Sequence, residues 1–110
     1  MVGVLLIGAG PAALACAVSL RCHGLADELT VLDPSGRWLA AWHERFRRQD
    51  IRHLRSPAVH HPHPEPFALL TAGGSEGLVP SGGAMLPTTA RFATLADDLV
   101  EGAGLAGIVE

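Results

Sequence analysis

The chain has 110 residues, enough for one small domain or part of a larger one. Hydrophobic residues make up 48% and charged residues 17%, which excludes a disordered tail. The formal net charge of -3 argues against a generic nucleic-acid binder. Charge is nevertheless uneven. Residues 37–55 carry six arginines against Glu44 and Asp50, and residues 65–110 carry six acids against Arg91.

Residues 2–20 hold no charged side chain, a pattern that mimics a membrane span or export signal. Gly8, Gly10 and Pro11 break the run and no basic residue precedes it, so neither is expected. Residues 2–7 (VGVLLI) instead read as a strand buried on both faces, as in a parallel sheet. Residues 8–11 (GAGP) turn the chain, and Pro11 suits the first turn of a helix over 12–23, which Gly24 stops. Residues 29–32 read as a second strand ending at Asp33, and Pro34, Ser35 and Gly36 as a turn. Cys16 and Cys22 are six apart and form no CxxC pair. A disulfide scaffold is therefore excluded, and a reducing, cytoplasmic compartment is the expectation. Cys16 is expected on the packed face of the first helix, and Cys22 near its end.

Residues 34–87 show little regular pattern. Residues 37–48 suit a short helix with Trp38, Ala41, Trp42, Arg45 and Phe46 near one face. Pro57, Pro62, Pro64 and Pro66 exclude a helix or central strand over 57–66. Gly and Ser mark 71–83 as loop. Thr88 or Thr89 can cap a helix over 90–101 with Phe92, Leu95, Leu99 and Val100 as its apolar positions, ended by Gly102 and Gly104. Residues 105–109 would begin a third strand. The expected organisation of 1–110 is one partial domain: a βαβ core over 1–33, a long loop insertion over 34–87, and a crossover helix with the start of a strand over 88–110.

The strongest chemical signal is Gly8-x-Gly10-x-x-Ala13, placed between a strand and a helix. Gly8 permits a sharp turn, Gly10 lets a diphosphate approach the backbone, and Ala13 lets helix and strand pack closely. The free amides and positive dipole end of the helix, from Pro11, Ala12 and Ala13 onward, then face the phosphates. Asp33 closes the second strand, where a carboxylate can accept hydrogen bonds from both hydroxyls of an adenosine ribose. It would repel a 2′-phosphate, so rejection of NADP at this site is expected. The competing reading is a Gly-rich turn in an unrelated βαβ unit.

This extended signature resembles the N-terminal FAD-binding segment of two-dinucleotide-domain flavoproteins. These are the flavin-containing monooxygenases, the lysine and ornithine N-hydroxylases, and their pyridine-nucleotide oxidoreductase relatives. The likeness is clearest over 2–33. Within the excursion, Ser35-Gly36-Arg37-Trp38 looks like the glycine-then-tryptophan segment of the monooxygenases, and His53-Leu54-Arg55-Ser56-Pro57 like the segment beside the flavin in hydroxylase-like members. The resemblance implies a Rossmann-like α/β half-domain, with a parallel sheet and a long irregular insertion, that holds FAD. NADPH or NADH is implied only for a full-length relative. Arg37 and Trp38 would lie along the cofactor, with Arg37 offering donors to the diphosphate. Core packing for Trp38 and Trp42, and a solvated helix face for the arginines, are the plain alternatives. Asp33 stands where Glu is commoner, and Ala13 replaces a third Gly. The later strands, a second Gly-rich loop and the substrate-binding parts of the family lie beyond this sequence, so a missing C-terminal region or a partner chain is expected.

His60, His61 and His63 form H-H-P-H, with His53 upstream and Glu65 nearby. Adjacent ligands on a Pro-kinked loop, without H-E-x-x-H or a Cys pair, do not match a zinc spacing, so no metal site is assigned. Ser19, Ser35, Ser56, Ser75 and Ser81 sit in no G-x-S-x-G elbow. No residue is assigned as catalytic. The expected cofactor-binding set is Gly8, Gly10, Pro11, Ala12, Ala13 and Asp33, with Arg37 and Trp38 secondary. The expected function is the FAD-binding portion of a flavin-dependent oxidoreductase of monooxygenase or N-hydroxylase type. The alternatives are an NAD-binding dehydrogenase or sensor domain, and a non-catalytic remnant or interaction module.

Overall fold

The computed structural model describes residues 3–25, 28–56, 58, 61–71 and 77–110. Val2, Pro57, His60 and residues 72–76, which enter the expectations above, lie outside them. In chain order the elements are β1 (Gly3–Ile7), α1 (Pro11–His23), β2 (Glu28–Leu32), α2 (Ala40–Arg48), α3 (Ala68–Thr71), β3 (Leu78–Ser81), β4 (Ala84–Pro87) and α4 (Thr89–Gly102). The architecture is mixed α/β with a small parallel sheet.

β1 and β2 pair in parallel from Gly3↔Glu28 to Ile7↔Leu32. The Leu32 carbonyl receives the Gly8 amide at 2.7 Å on the β1 side. On the opposite edge, the Val31 carbonyl receives the Glu110 amide and the Asp33 amide reaches the Glu110 carbonyl, both at 2.8 Å. The chain end therefore lies beside β2, away from β1. The expected third strand shrinks to this contact: Val109 forms an isolated parallel bridge with Val31. Gly104 and Gly107 take positive φ angles of 67° and 76°, which keep 104–107 in turns.

Burial corrects a second expectation. β1 is not covered on both faces: Leu5 is 56% and Ile7 75% exposed, while Val4 and Leu6 are half-buried. The cause is one-sided packing. Leu6 and Leu29 meet a core of Leu14, Ala17 and Val18 from α1 with Phe92 and Ala96 from α4. The outer face, with Leu5, Ile7 and Leu32, is bare.

α1 follows from its ends. Pro11 occupies the first turn, and Gly24 closes the helix at φ 60°. The Leu25 amide reaches back to the Leu20 carbonyl at 3.1 Å, the bond of a Schellman cap. Leu14, Ala17 and Val18 share the buried face at helical spacing. That leaves Cys16 exposed, not packed as expected; Cys22 is exposed as well.

The middle of the chain is more regular than its composition predicts. α2 starts at Ala40, three residues later than expected, because Leu39 adopts φ 57° and donates its amide to the Ala9 carbonyl at 2.7 Å. Trp38 thus stands outside the helix, and Ala41 and Arg45 are exposed. Trp42 stacks on Phe92 with ring centroids 5.9 Å apart and meets Phe46 edge-on at 5.4 Å. Residues 78–87, expected as loop and unpatterned chain, form the antiparallel hairpin of β3 and β4. Its two-residue turn is Gly82-Gly83, with φ 54° and 83°, the geometry that matches strand twist. Leu39, Leu54, Ala58 and Leu69 carry the excursion into the main core. α4 is capped by Thr88, whose hydroxyl accepts the Arg91 amide at 3.1 Å.

Candidate functional site

The turn between β1 and α1 is held from both sides. Gly8 takes φ 99°, open to glycine and strained for other residues, and its amide is fixed to the end of β2. Ala9 is buried, and its carbonyl holds Leu39 at the start of α2. Gly10 is the N-cap residue, at φ -85° and ψ -174°, and no side chain caps the helix. The Ala12 and Ala13 amides, in the first turn, therefore have neither an intrahelical acceptor nor a side-chain cap. Gly10 needs no glycine for its own backbone angles. What its missing side chain leaves is room: a Cβ at Gly8 or at Gly10 would meet no atom within 4 Å.

Asp33 stands at the end of β2, half-buried. Its Oδ2 receives the Ser35 hydroxyl at 2.5 Å and the Ser35 amide at 3.0 Å. These two bonds, the hydroxyl first, hold the carboxyl below the usual carboxylate range; partial burial opposes them, and the Ala9 amide assists weakly. The Gly8 amide, bonded to the Leu32 carbonyl one residue before Asp33, puts the acid beside the Gly8 turn. Ser35 in turn accepts the Arg37 amide at 3.2 Å.

The secondary residues separate. Arg37 is exposed and lines a groove of about 660 Å³ with Asp33, Ser35, Ala41, His43 and Arg47. Trp38 is half-buried between the core and the sheet, and its indole N–H donates to the Leu105 carbonyl at 2.9 Å. That donor is consumed by packing. A second groove, about 240 Å³, is lined by Pro11, Ala12, Ala15, Trp42, Ser56 and His61. One groove begins at the acid, the other at the helix start, and α2 contributes to both.

The arginines of α2 are partly neutralised. Glu44 pairs with Arg47 at 2.7 Å and Arg48 at 3.2 Å. The Arg47 hydrogen bond is the main cause holding the Glu44 carboxyl below its ordinary range, and Glu44 holds the guanidinium above its own. All three are exposed, so the pairs shape the groove rim more than they stabilise the fold. His53 serves through its backbone, bridging Thr88.

Among the described residues, no three His, Cys, Asp or Glu side chains group so as to hold a metal ion. No helix among them is long and apolar enough to cross a membrane. Sequence reasoning missed Ser35 as the residue that positions Asp33. The signal was there in Asp33-Pro34-Ser35-Gly36, an acid with a hydroxyl two residues later in a turn. It also missed Ala9, whose carbonyl ties the glycine turn to α2. The chain matches no protein-family model, no curated protein and no solved structure.

Proposed function

We propose that the turn at Gly8–Gly10 and the acid at Asp33 bind a dinucleotide, FAD, and that the chain is the FAD-holding portion of a flavin-dependent oxidoreductase of monooxygenase or N-hydroxylase type. The observation that carries the reading is the open amino end of α1. Uncapped amides stand at a turn where two glycines leave space clear, and the carboxylate that follows β2 lies beside that turn. The donor set fits a diphosphate and an attached ribose. Gly10, Ala12 and Ala13 would hold the phosphates. Asp33 would take the ribose hydroxyls on Oδ1, since Ser35 fills Oδ2. Arg37, at the rim beside the acid, is placed for the adenosine side. Trp38 serves as a wall, not a donor.

The strand order supports a Rossmann-like reading. A chain end lying beside β2 and away from β1 gives the order tail-β2-β1, as in the first half of a doubly wound sheet. When bound, the flavin would supply the redox chemistry, with protein groups holding and orienting it.

Purified protein titrated with FAD and with NAD tests this. Bound flavin with its blue-absorbing bands, and a denaturation midpoint raised by saturating FAD, is the expected result. A ligand at a hundred times its dissociation constant stabilises by about 2.7 kcal/mol. A colourless protein stabilised by NAD alone would move the reading to an NAD-binding domain. No stabilisation by either would favour an interaction module.

A further inference from the structure

Between residues 61 and 67 the sequence alternates His61-Pro62-His63-Pro64-Glu65-Pro66-Phe67. The prolines have no amide hydrogen, so His63, Glu65 and Phe67 carry the free amides after His61. Each is capped by the side chain two residues earlier. The His63 amide donates to His61 Nδ1 at 3.2 Å, the Glu65 amide to His63 Nδ1 at 3.0 Å, and the Phe67 amide to Glu65 Oε1 at 3.3 Å. His61 Nε2 lies 2.9 Å from the Pro66 carbonyl. An Nδ1 that accepts puts the ring proton on Nε2, so His61 donates to Pro66. Both imidazoles must be neutral for this ladder to form.

We propose that residues 61–67 are a proton-sensitive strap over α1, closed when His61 and His63 are neutral and released when they are protonated. A protonated ring has donors at both nitrogens. The two Nδ1 acceptors then become donors facing donors, and the ladder loses two of its three rungs. The surroundings give the motion a direction. His61 and Pro62 wall the groove that holds Pro11, Ala12 and Trp42. Among the described residues no charged side chain lines that groove, and the positive amino end of α1 is the charge His61 would face. His63 lines a cleft of about 330 Å³ with Cys22 of α1 and Asp98 of α4, and Glu65 follows it on the strap. Protonation therefore pushes His61 from the helix end and draws His63 toward Asp98. The mechanism does not depend on what the Gly8 turn binds.

The test uses the whole chain without added ligand. Nitrogen-15 spectra of the histidines and amide exchange are compared at about pH 8 and about pH 5, the span over which histidine is the switch residue. The expected tautomer at the higher pH is Nε2–H for both rings. After correction for intrinsic rates, exchange of the His63 and Glu65 amides should quicken roughly tenfold at the lower pH, with Leu14 in α1 as reference. Asparagine can cap an amide two residues on without titrating, so the double variant His61→Asn, His63→Asn should exchange slowly at both pH values. The double variant His61→Ala, His63→Ala should exchange fast at both. An Nδ1–H tautomer at the higher pH, equal protection of the wild type at both, or a pH response retained by the asparagine variant would overturn the proposal.

Discussion

Ser35 places two donors on one oxygen of Asp33, its hydroxyl at 2.5 Å and its amide at 3.0 Å. The acid is thereby oriented by its own turn. Because the folded carboxyl lies below its ordinary value, these bonds stabilise the fold above the carboxylate range. That contribution is lost as pH falls through the folded value. Ser35→Ala should raise the Asp33 titration midpoint toward the ordinary value, read from its carboxyl carbon by NMR, and shrink the acid-side loss of stability. An unchanged midpoint would mean that the Ser35 hydroxyl does not hold the acid.

Gly10 separates folding from binding. Its angles suit any residue and its side-chain space is empty. Gly10→Asp should cap α1 and favour its dipole, raising stability by about 0.3–1 kcal/mol. The same carboxylate would fill the space proposed for the phosphates, so FAD affinity should fall at least about a hundredfold. Urea denaturation and a FAD titration read the two effects independently.

Phe92 anchors α4 against α2 through its stack on Trp42 and is 3% exposed. Phe92→Ala should cost about 3–5 kcal/mol, a large part of the stability of a small domain. Chemical denaturation followed by Trp fluorescence measures it.

Ile7 is the most exposed large apolar residue among those described, at 75%, on the bare face of β1. Ile7→Thr keeps a β-branched strand residue and removes apolar surface from solvent. Its unfolding free energy should stay within about 0.5 kcal/mol of the wild type, and binding of a hydrophobic dye should drop. A large destabilisation would mean that the face is covered.

The local signals proved readable and the long-range ones did not. Pro11, Gly24 and Thr88 act at the helix ends because caps depend on one or two neighbouring residues. Leu39 was opaque: its left-handed backbone is held by Ala9, thirty positions away, and that bond moved the start of α2. Gly82-Gly83 was a legible hairpin turn obscured by the Gly- and Ser-rich residues before it and by Pro80 and Pro87 in the strands. Cys16 and Leu5 were misplaced for one reason. Which helix or sheet face is covered depends on what packs there, and hydrophobicity alone does not say. At the candidate site, Gly8, Gly10 and Asp33 were visible as a spacing, whereas the Ser35 clasp and the half-buried Trp38 required three dimensions.

The amino end of α1 is the proposed seat of the dinucleotide. An amide NMR titration with FAD measures this residue by residue. The expected result is that the Gly10, Ala12 and Ala13 amides shift first and most, that the Asp33 carboxyl shifts with them, and that Gly10→Asp abolishes all four changes. Saturable FAD binding that leaves those amides unmoved and perturbs another surface would contradict it.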